Sequence, residues 1–235
     1  MPPPMTTALY WDFISHKVAD AMTNTSSAAV AESRKALWVL TAISAAVLLW
    51  SGIGPYDRLT WWLEVLPVII VVPLLWATFG KFPLTMLCYM LITVHAVILM
   101  VGGHHTYALV PFGDWLRDLF DLSRNPYDRI GHFAQGFVPA IVARELLLRH
   151  TPLQRGGWLF TIVAGMCLAI SACYEFIEWA AAIIGGGDAE AFLGTQGDVW
   201  DTQWDMFLAL IGAITAQLLL SRFHDRQLAR LPGRA

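Results

Sequence analysis

The residues of this sequence that could carry out chemistry are mainly histidines and carboxylates, and they fall in four short segments. The four segments contribute His95, His104 and His105; Asp128, Arg129 and His132; Glu175 and Glu178; and Gln196, Asp198, Asp201 and Asp205. Carboxylates mixed with imidazoles are good ligands for Zn²⁺, Mn²⁺ or Fe²⁺, and carboxylates alone suit Ca²⁺ or Mg²⁺. The set therefore indicates a site for a divalent metal ion whose identity is left open.

The spacing within three of these segments favours shared helix faces. Asp128 and His132 are four residues apart and Glu175 and Glu178 are three apart, so each pair would lie on one face about a turn apart. The aspartates of 198–205 follow one another at i, i+3 and i+7, which forms one acidic stripe if that segment is helical. Each segment would then present its polar side chains in one direction.

The polar set divides into predicted metal ligands, catalytic groups and other candidates. The predicted ligands are Glu175, Glu178, His132, Asp198, Asp201 and Asp205. The predicted catalytic groups are His132, Asp128 and Glu175, and the other polar candidates are His95, His104, His105, Arg129 and Gln196. A metal held here would activate water or polarise a phosphoryl or acyl oxygen, with His104, His105 or Asp128 as proton carriers. The sequence has no GxSxG or P-loop motif, which disfavours covalent serine chemistry and nucleotide hydrolysis.

Plainer interpretations stay open for most of these groups. His95 could be a hydrogen-bonded core histidine, and His104 and His105 could be an interfacial loop pair. Asp128 could cap a helix with His132 as its partner, and Asp198 and Asp201 could cap the next helix. Glu175 and Glu178 have no such explanation, because a charge inside a membrane costs about 2.5–3.5 kcal/mol even on a lenient scale. Two such carboxylates persist only if they are protonated, paired, hydrated or bound to a cation.

The elements that position these residues are predicted to be membrane helices. The chain has 235 residues, of which 57% are hydrophobic and 14% charged, and its mean hydropathy is +0.55. Soluble domains carry about 25% charged residues. The composition therefore excludes an ordinary soluble enzyme, a nucleic-acid binder and a disordered regulator, and it predicts an all-α, polytopic membrane helix bundle.

Six segments are apolar enough, over about 20 residues, to be expected to span a bilayer. They are 36–54, 61–79, 84–102, 131–148, 157–184 and 203–221. The predicted organisation is a cytoplasmic N-terminal segment at 1–35, a six-span domain at 36–221 and a basic cytoplasmic tail at 222–235. The N-terminus lacks the pattern of a cleavable signal peptide, so we expect the first span to act as an uncleaved insertion signal.

The charges are distributed unequally between the two sides of this predicted bundle. Eleven of the fifteen basic residues fall at the termini and in the second and fourth loops with their flanking helix ends, which places both termini in the cytoplasm by the positive-inside rule. Thirteen of the eighteen acids fall on the opposite, outer side. Since the third and fifth spans run outward and the fourth and sixth inward, their polar groups are expected to meet in the outer half of the bundle.

Two other charged segments have simpler expected roles. Asp114, Asp118 and Asp121 alternate with Trp115 and other apolar residues, which predicts a short amphipathic helix on the outer surface. Arg144 and Glu145 are expected to form a snorkelling pair at the cytoplasmic end of the fourth span.

The blocks NPYDRIGHFAQGFVPAIVARE, YEFIEWA and FLGTQGDVWDTQWDMFLALIGA resemble the signature blocks of the YjdF-type bacterial inner-membrane proteins. That family is classed as a domain of unknown function, so the resemblance implies a multi-span inner-membrane protein without implying an activity. The resemblance covers about residues 36–221.

A more distant similarity is to the VanZ-like membrane proteins. It lies in the opening Asp128, Arg129 and His132, in the acidic helix with Glu175 and Glu178, and more loosely in Asp201, Asp205 and Gly212. The Pro/Arg-containing element that often precedes the last segment in those proteins is missing here.

Three functions agree with these features. The first is a membrane-embedded metalloenzyme that hydrolyses or transfers a group on a lipid or envelope substrate. The second is a non-enzymatic accessory protein whose acids bind a stabilising ion or loop arginines, and the third is a cation- or proton-coupled transporter. Membrane lipids are the expected partners, and neither nucleic acid nor a nucleotide is expected.

Overall fold

The chain folds into long helices that pack side by side. In the computed structural model, residues 7–185 and 195–231 are described. Within them lie α1 (Thr7–Ser51), α2 (Arg58–Phe79), α3 (Met86–His105), α4 (Pro111–Phe120), α5 (Tyr127–His150), α6 (Gly157–Gly185) and α7 (Asp201–Leu228). The all-α, polytopic fold class predicted from composition is confirmed. The predicted acidic block and the predicted basic tail are only partly described. Gly194 of the block and Arg234 of the tail lie outside the described residues.

Five of the described helices are long and apolar enough to cross a membrane. They contain the segments Thr23–Ser51, Arg58–Phe79, Met86–His105, Gly157–Ile184 and Asp201–Leu228. The segment predicted as the fourth span forms the 24-residue helix α5, which does not reach the same apolarity. The reason is its position: α5 packs against α3, α6 and α7, and half of its residues are buried. A helix enclosed by protein can carry polar side chains that a lipid-facing helix cannot.

Close backbone contact joins α5 to α7. A Cβ atom added at Gly136 would overlap the backbone of Ala209, and one added at Gly212 would overlap the backbone of Phe133. Small residues let two membrane helices approach in this way. His132 lies one turn before Gly136 and Asp205 one turn before Ala209, so this contact brings the two polar side chains together.

The two ends of the bundle carry different structures. We call the end with the α3–α4 connection and the start of α7 the outer end, and the opposite end, where α7 finishes, the inner end. Apolar side chains from six helices fill the space between the two ends, among them Leu37, Cys88, Ile141 and Val163. At the outer end, α4 forms as predicted, with Trp115 and other apolar side chains exposed on one face.

The predicted snorkelling pair at the inner end is wrong, because Arg144 and Glu145 are both buried. Glu145 accepts hydrogen bonds from Thr85 N at 3.0 Å, Arg149 Nη1 at 2.7 Å and His224 Nε2 at 3.0 Å. Arg144 Nη1 donates to His224 Nδ1 at 2.9 Å. The enclosed position of α5 prevents these side chains from reaching lipid headgroups, so they join α5 to α3 and α7 instead.

Candidate metal centre

The outer halves of α5, α6 and α7 bring the predicted polar groups together. Two overlapping sets of buried side chains have one ligand atom per residue within 4.8 Å of the others. They are Asp128, His132 and Asp205, and His132, Glu175 and Glu178. The same sequence spacing that predicted shared helix faces thus produces two sets that meet at His132.

His132 lies between carboxylates from three helices. Its Nε2 atom is 3.5 Å from Asp128 Oδ1 and 3.8 Å from Asp205 Oδ2, and its Nδ1 atom is 3.9 Å from Glu175 Oε1. Nδ1 also lies 3.0 Å from Gln135 Oε1. The amide oxygen can only accept, so in this contact Nδ1 is the donor. Nε2 faces the two aspartates, and in the neutral imidazole it would offer its lone pair to a metal ion while Gln135 holds the second nitrogen.

Several carboxylate atoms of the cluster are not compensated by hydrogen bonds. Glu175 Oε1 and Asp205 Oδ1 are buried and accept no hydrogen bond from the described residues. A buried carboxylate is stable only when a charge partner or hydrogen-bond donors replace the lost water. A divalent cation held by either of the two sets of ligand atoms would supply that compensation, and a donor set of carboxylates with one imidazole fits such an ion.

Arginines pair with the acids at the rim of this cluster. Arg124 forms an ion pair with Asp201 and lies 3.4 Å from Asp128 Oδ2. Arg129 Nη2 lies 3.0 Å from Asp198 Oδ2. Asp198 and Asp201 are therefore engaged by arginine and lie outside both sets of clustered ligands.

The predicted acidic stripe is only partly helical. Because α7 begins at Asp201, Asp198 lies in the preceding turn, where its Oδ1 accepts from Trp200 N at 3.0 Å. A positive φ of 84° at Gly197 makes this turn and interrupts the helical register. Gln196 is bound in the same turn, through hydrogen bonds of 3.0 Å in both directions with the backbone of Asn125. The turn thus fixes the start of α7 to the start of α5.

The capping interpretation of Asp128 is wrong. The backbone N–H of Tyr127 donates to the side chain of Asn125 at 3.0 Å, while Asp128 faces Arg124 and His132. Asn125 therefore satisfies the start of α5, and Asp128 is available to the cluster.

The remaining histidines lie in two places. His104 Nδ1 is 2.9 Å from the carbonyl oxygen of Ser51, and the rings of His104 and His105 pack near Trp50 at the outer end. Both residues lie in the last turn of α3, so the interpretation as a loop pair is wrong, but their contacts favour an interfacial role. His95 lies deeper, close enough to His132 to interact with it electrostatically, and its buried Nε2 has no hydrogen-bond partner among the described residues.

Glu64 is a buried acid near the cluster that the sequence reasoning missed. It is 4% exposed and interacts electrostatically with Asp128 and His132. Tyr107 donates its hydroxyl to Glu64 Oε2 at 2.9 Å, and burial, together with the Glu64 charge, raises the pKa of Tyr107 well above its usual range. The signal was present in the sequence, since Glu64 is the only charged residue between Arg58 and the end of α2.

Comparison with known proteins gives two matches. A family described as a predicted membrane protein family, DUF2238, matches residues 36–226. The chain is also 56% identical over 184 residues to the inner membrane protein YjdF of Escherichia coli (strain K12), over 78% of this chain and 88% of that protein. No solved structure matches this chain.

Proposed function

The chain belongs to the DUF2238 family of predicted membrane proteins, and from its buried cluster of carboxylates around His132 we propose that it works within the bilayer as a metal-dependent hydrolase or transferase. The resemblance to the YjdF-type family and the multi-pass location in the inner membrane are both confirmed. The proposed substrate is a lipid or an envelope precursor, because such molecules can reach a site inside a helix bundle from the membrane.

The observation that carries the proposal is the pair of uncompensated oxygens beside His132. Glu175 Oε1 is buried without a hydrogen bond from the described residues and lies 3.9 Å from His132 Nδ1. Asp205 places Oδ2 3.8 Å from His132 Nε2, and its other oxygen, Oδ1, is buried without a hydrogen bond from the described residues. In our proposal Asp128, His132 and Asp205 would hold the metal, which would supply Lewis-acid chemistry to a substrate oxygen or a bound water. Glu175, on the Nδ1 side of the imidazole and grouped with Glu178, is the proposed general base.

The proposed orientation has six spans with both termini in the cytoplasm. It includes α5 as the fourth span, enclosed by its neighbours, and it rests on the eleven basic residues of the termini and the second and fourth loops. The metal site would then lie in the half of the bundle that faces the periplasm. His104, His105 and the amphipathic helix α4 would border the same side.

Metal content provides the test of the binding step. The protein is purified in mild detergent, and bound metals are measured for the parent protein and for Asp128→Asn/Asp205→Asn. The matched control is Asp114→Asn/Asp118→Asn, which makes the same two changes on helix α4. We expect near-stoichiometric metal in the parent and the control and a loss of metal in Asp128→Asn/Asp205→Asn. Absence of metal from the parent after dialysis against Zn²⁺, Mn²⁺ and Mg²⁺ would contradict the proposal.

An accessory role with a purely structural ion is the second candidate. The observation that favours it is the depth of the ligands, since His132 is 7% exposed and Asp205 is 2% exposed. The two roles separate when the metal-loaded protein is incubated in nanodiscs of inner-membrane lipids and the lipids are analysed by mass spectrometry. Metal-dependent products that vanish with Glu175→Gln support the enzyme, whereas unchanged lipids with full metal binding support the structural ion.

A further inference from the structure

A groove at the inner end of the bundle lies far from the metal centre. It has a volume of about 640 Å³ and is formed by α1, the start of α3 and the end of α7. Its apolar lining includes Val39, Met86, Met90 and Phe223. These side chains are 37–53% exposed, so they would face acyl chains in a membrane rather than a closed protein core.

Charged side chains line the groove nearer the chain termini. Three of them are cations, Lys35 from α1 and Arg226 and Arg230 from the end of α7 and the turn that follows, and one is an anion, Glu32. The groove therefore carries a net positive charge at one end and an apolar surface along α1 and α3. That combination is complementary to a molecule with an anionic head and hydrocarbon chains.

Hydrogen bonds hold the walls of the groove in place. Gln227 Oε1 on α7 accepts from Leu87 N at the start of α3 at 2.9 Å. Next to it, Thr85 donates its hydroxyl to the fully buried Glu145 at 2.7 Å. The shape of the groove thus follows from contacts of the folded bundle, and a ligand would not have to create it.

We propose that this groove binds an anionic phospholipid, with its phosphate at Arg226 and Arg230 and its acyl chains along Val39 and Met90. A free phosphate is the weaker alternative, because it would leave the apolar lining without a partner. A peptide or second protein is also disfavoured, since the apolar part lies on the outward surfaces of spanning helices. The site stands independently of the proposed enzyme activity.

Lipid titration followed by native mass spectrometry provides the test. Delipidated protein in detergent is titrated with phosphatidylglycerol, with zwitterionic phosphatidylcholine and with soluble glycerol 3-phosphate. Each cation near an anionic lipid headgroup contributes about fivefold to affinity. We therefore expect Arg226→Gln/Arg230→Gln to bind phosphatidylglycerol about 25-fold more weakly than the parent. The matched control is Lys81→Gln/Arg222→Gln, which removes two exposed cations of the same end outside the groove and should bind within twofold of the parent.

A second variant tests the apolar part of the site without changing its charge. Met90 is 53% exposed, so Met90→Trp can fill the groove without disturbing the core. We expect it to weaken phosphatidylglycerol binding at least tenfold. Equal affinity for phosphatidylglycerol and phosphatidylcholine, an equal loss in the control pair, unchanged binding in Met90→Trp, or displacement of the lipid by glycerol 3-phosphate would each overturn the proposal.

Discussion

Replacement of Asp205 by Asn is expected to change stability in opposite directions with and without metal. Without metal, the ligand oxygens of Asp128 and Asp205 lie within 4.8 Å of each other. Two negative charges at that distance repel by about 3.5 kcal/mol at an effective dielectric constant of about 20. A protonated His132 would offset part of this, so we expect Asp205→Asn to stabilise the metal-free protein by about 1–2 kcal/mol.

With metal present, the same substitution removes a direct ligand. Loss of a residue that only hydrogen-bonds a ligand already weakens metal affinity by about 10–100-fold, so we expect loss of Asp205 to weaken it by at least about 100-fold. A metal at about 1,000 times its dissociation constant stabilises a folded protein by about 4.1 kcal/mol, and a 100-fold weaker site under the same conditions gives about 1.4 kcal/mol. The loss of metal-dependent stabilisation, about 2.7 kcal/mol, exceeds the gain from reduced repulsion. The variant should therefore be more stable than the parent in chelator and less stable in saturating metal.

The assay is thermal unfolding in detergent, followed by circular dichroism, with EDTA or with graded Zn²⁺, Mn²⁺ or Mg²⁺. Asp118→Asn is the control, because this exposed carboxylate on α4 undergoes the same isosteric change far from His132. A crossing of stability order between EDTA and metal for Asp205→Asn alone is the expected result. If the metal-dependent shift of Asp205→Asn equals that of the parent, Asp205 is not a ligand and the reasoning from its uncompensated oxygen is refuted.

Three further substitutions test the scaffold around the site. Glu145→Leu should destabilise the protein by about 3–5 kcal/mol in thermal unfolding, because it leaves a buried network without its acceptor, and a change under 1 kcal/mol would contradict that role. Gly136→Ala should lower the free energy of unfolding by about 1–3 kcal/mol, because the added Cβ pushes α5 away from α7. The control Gly165→Ala should leave stability unchanged or raise it, because a Cβ added there meets nothing within 4 Å. Gln135→Leu should weaken metal binding by about 10–100-fold through loss of the hydrogen bond that orients His132, measured by competition with a chelating dye, and unchanged affinity would remove Gln135 from the site.

The helices could be predicted from the sequence because their signals are local. Apolar runs mark the spanning helices, and the spacing of Asp114, Trp115 and Asp118 marks α4. The enclosed position of α5 could not be predicted in the same way. Arg144 and Glu145 at the end of an apolar segment form the same pattern whether the helix faces lipid or protein, and only the packing of α3, α6 and α7 around α5 decides between them.

The same distinction between local and distant information applies to the candidate site. The spacing of Asp128 with His132, and of Glu175 with Glu178, predicted shared helix faces, and the structure brings both pairs to one place. The position of Glu64 near this cluster depends instead on the packing of α2 against α3, where Gly103 leaves room for the Glu64 side chain. The residue spacing within α2 does not indicate that contact. An isolated acid in an apolar helix does indicate that the residue has a specific role.

The two ends of α5 differ in how their buried carboxylates are compensated. At the inner end, Glu145 is completely buried and its carboxylate is satisfied by donors that include Arg149 and His224, so its negative charge is fully explained by the fold. At the outer end, Asp205 and Glu175 are buried to a similar extent, yet each leaves an oxygen without a hydrogen bond among the described residues. The bundle thus contains one buried carboxylate whose charge is compensated by hydrogen-bond donors and two whose oxygens are only partly compensated. In our proposal, a cation would supply to these oxygens at the outer end the compensation that hydrogen-bond donors supply to Glu145 at the inner end.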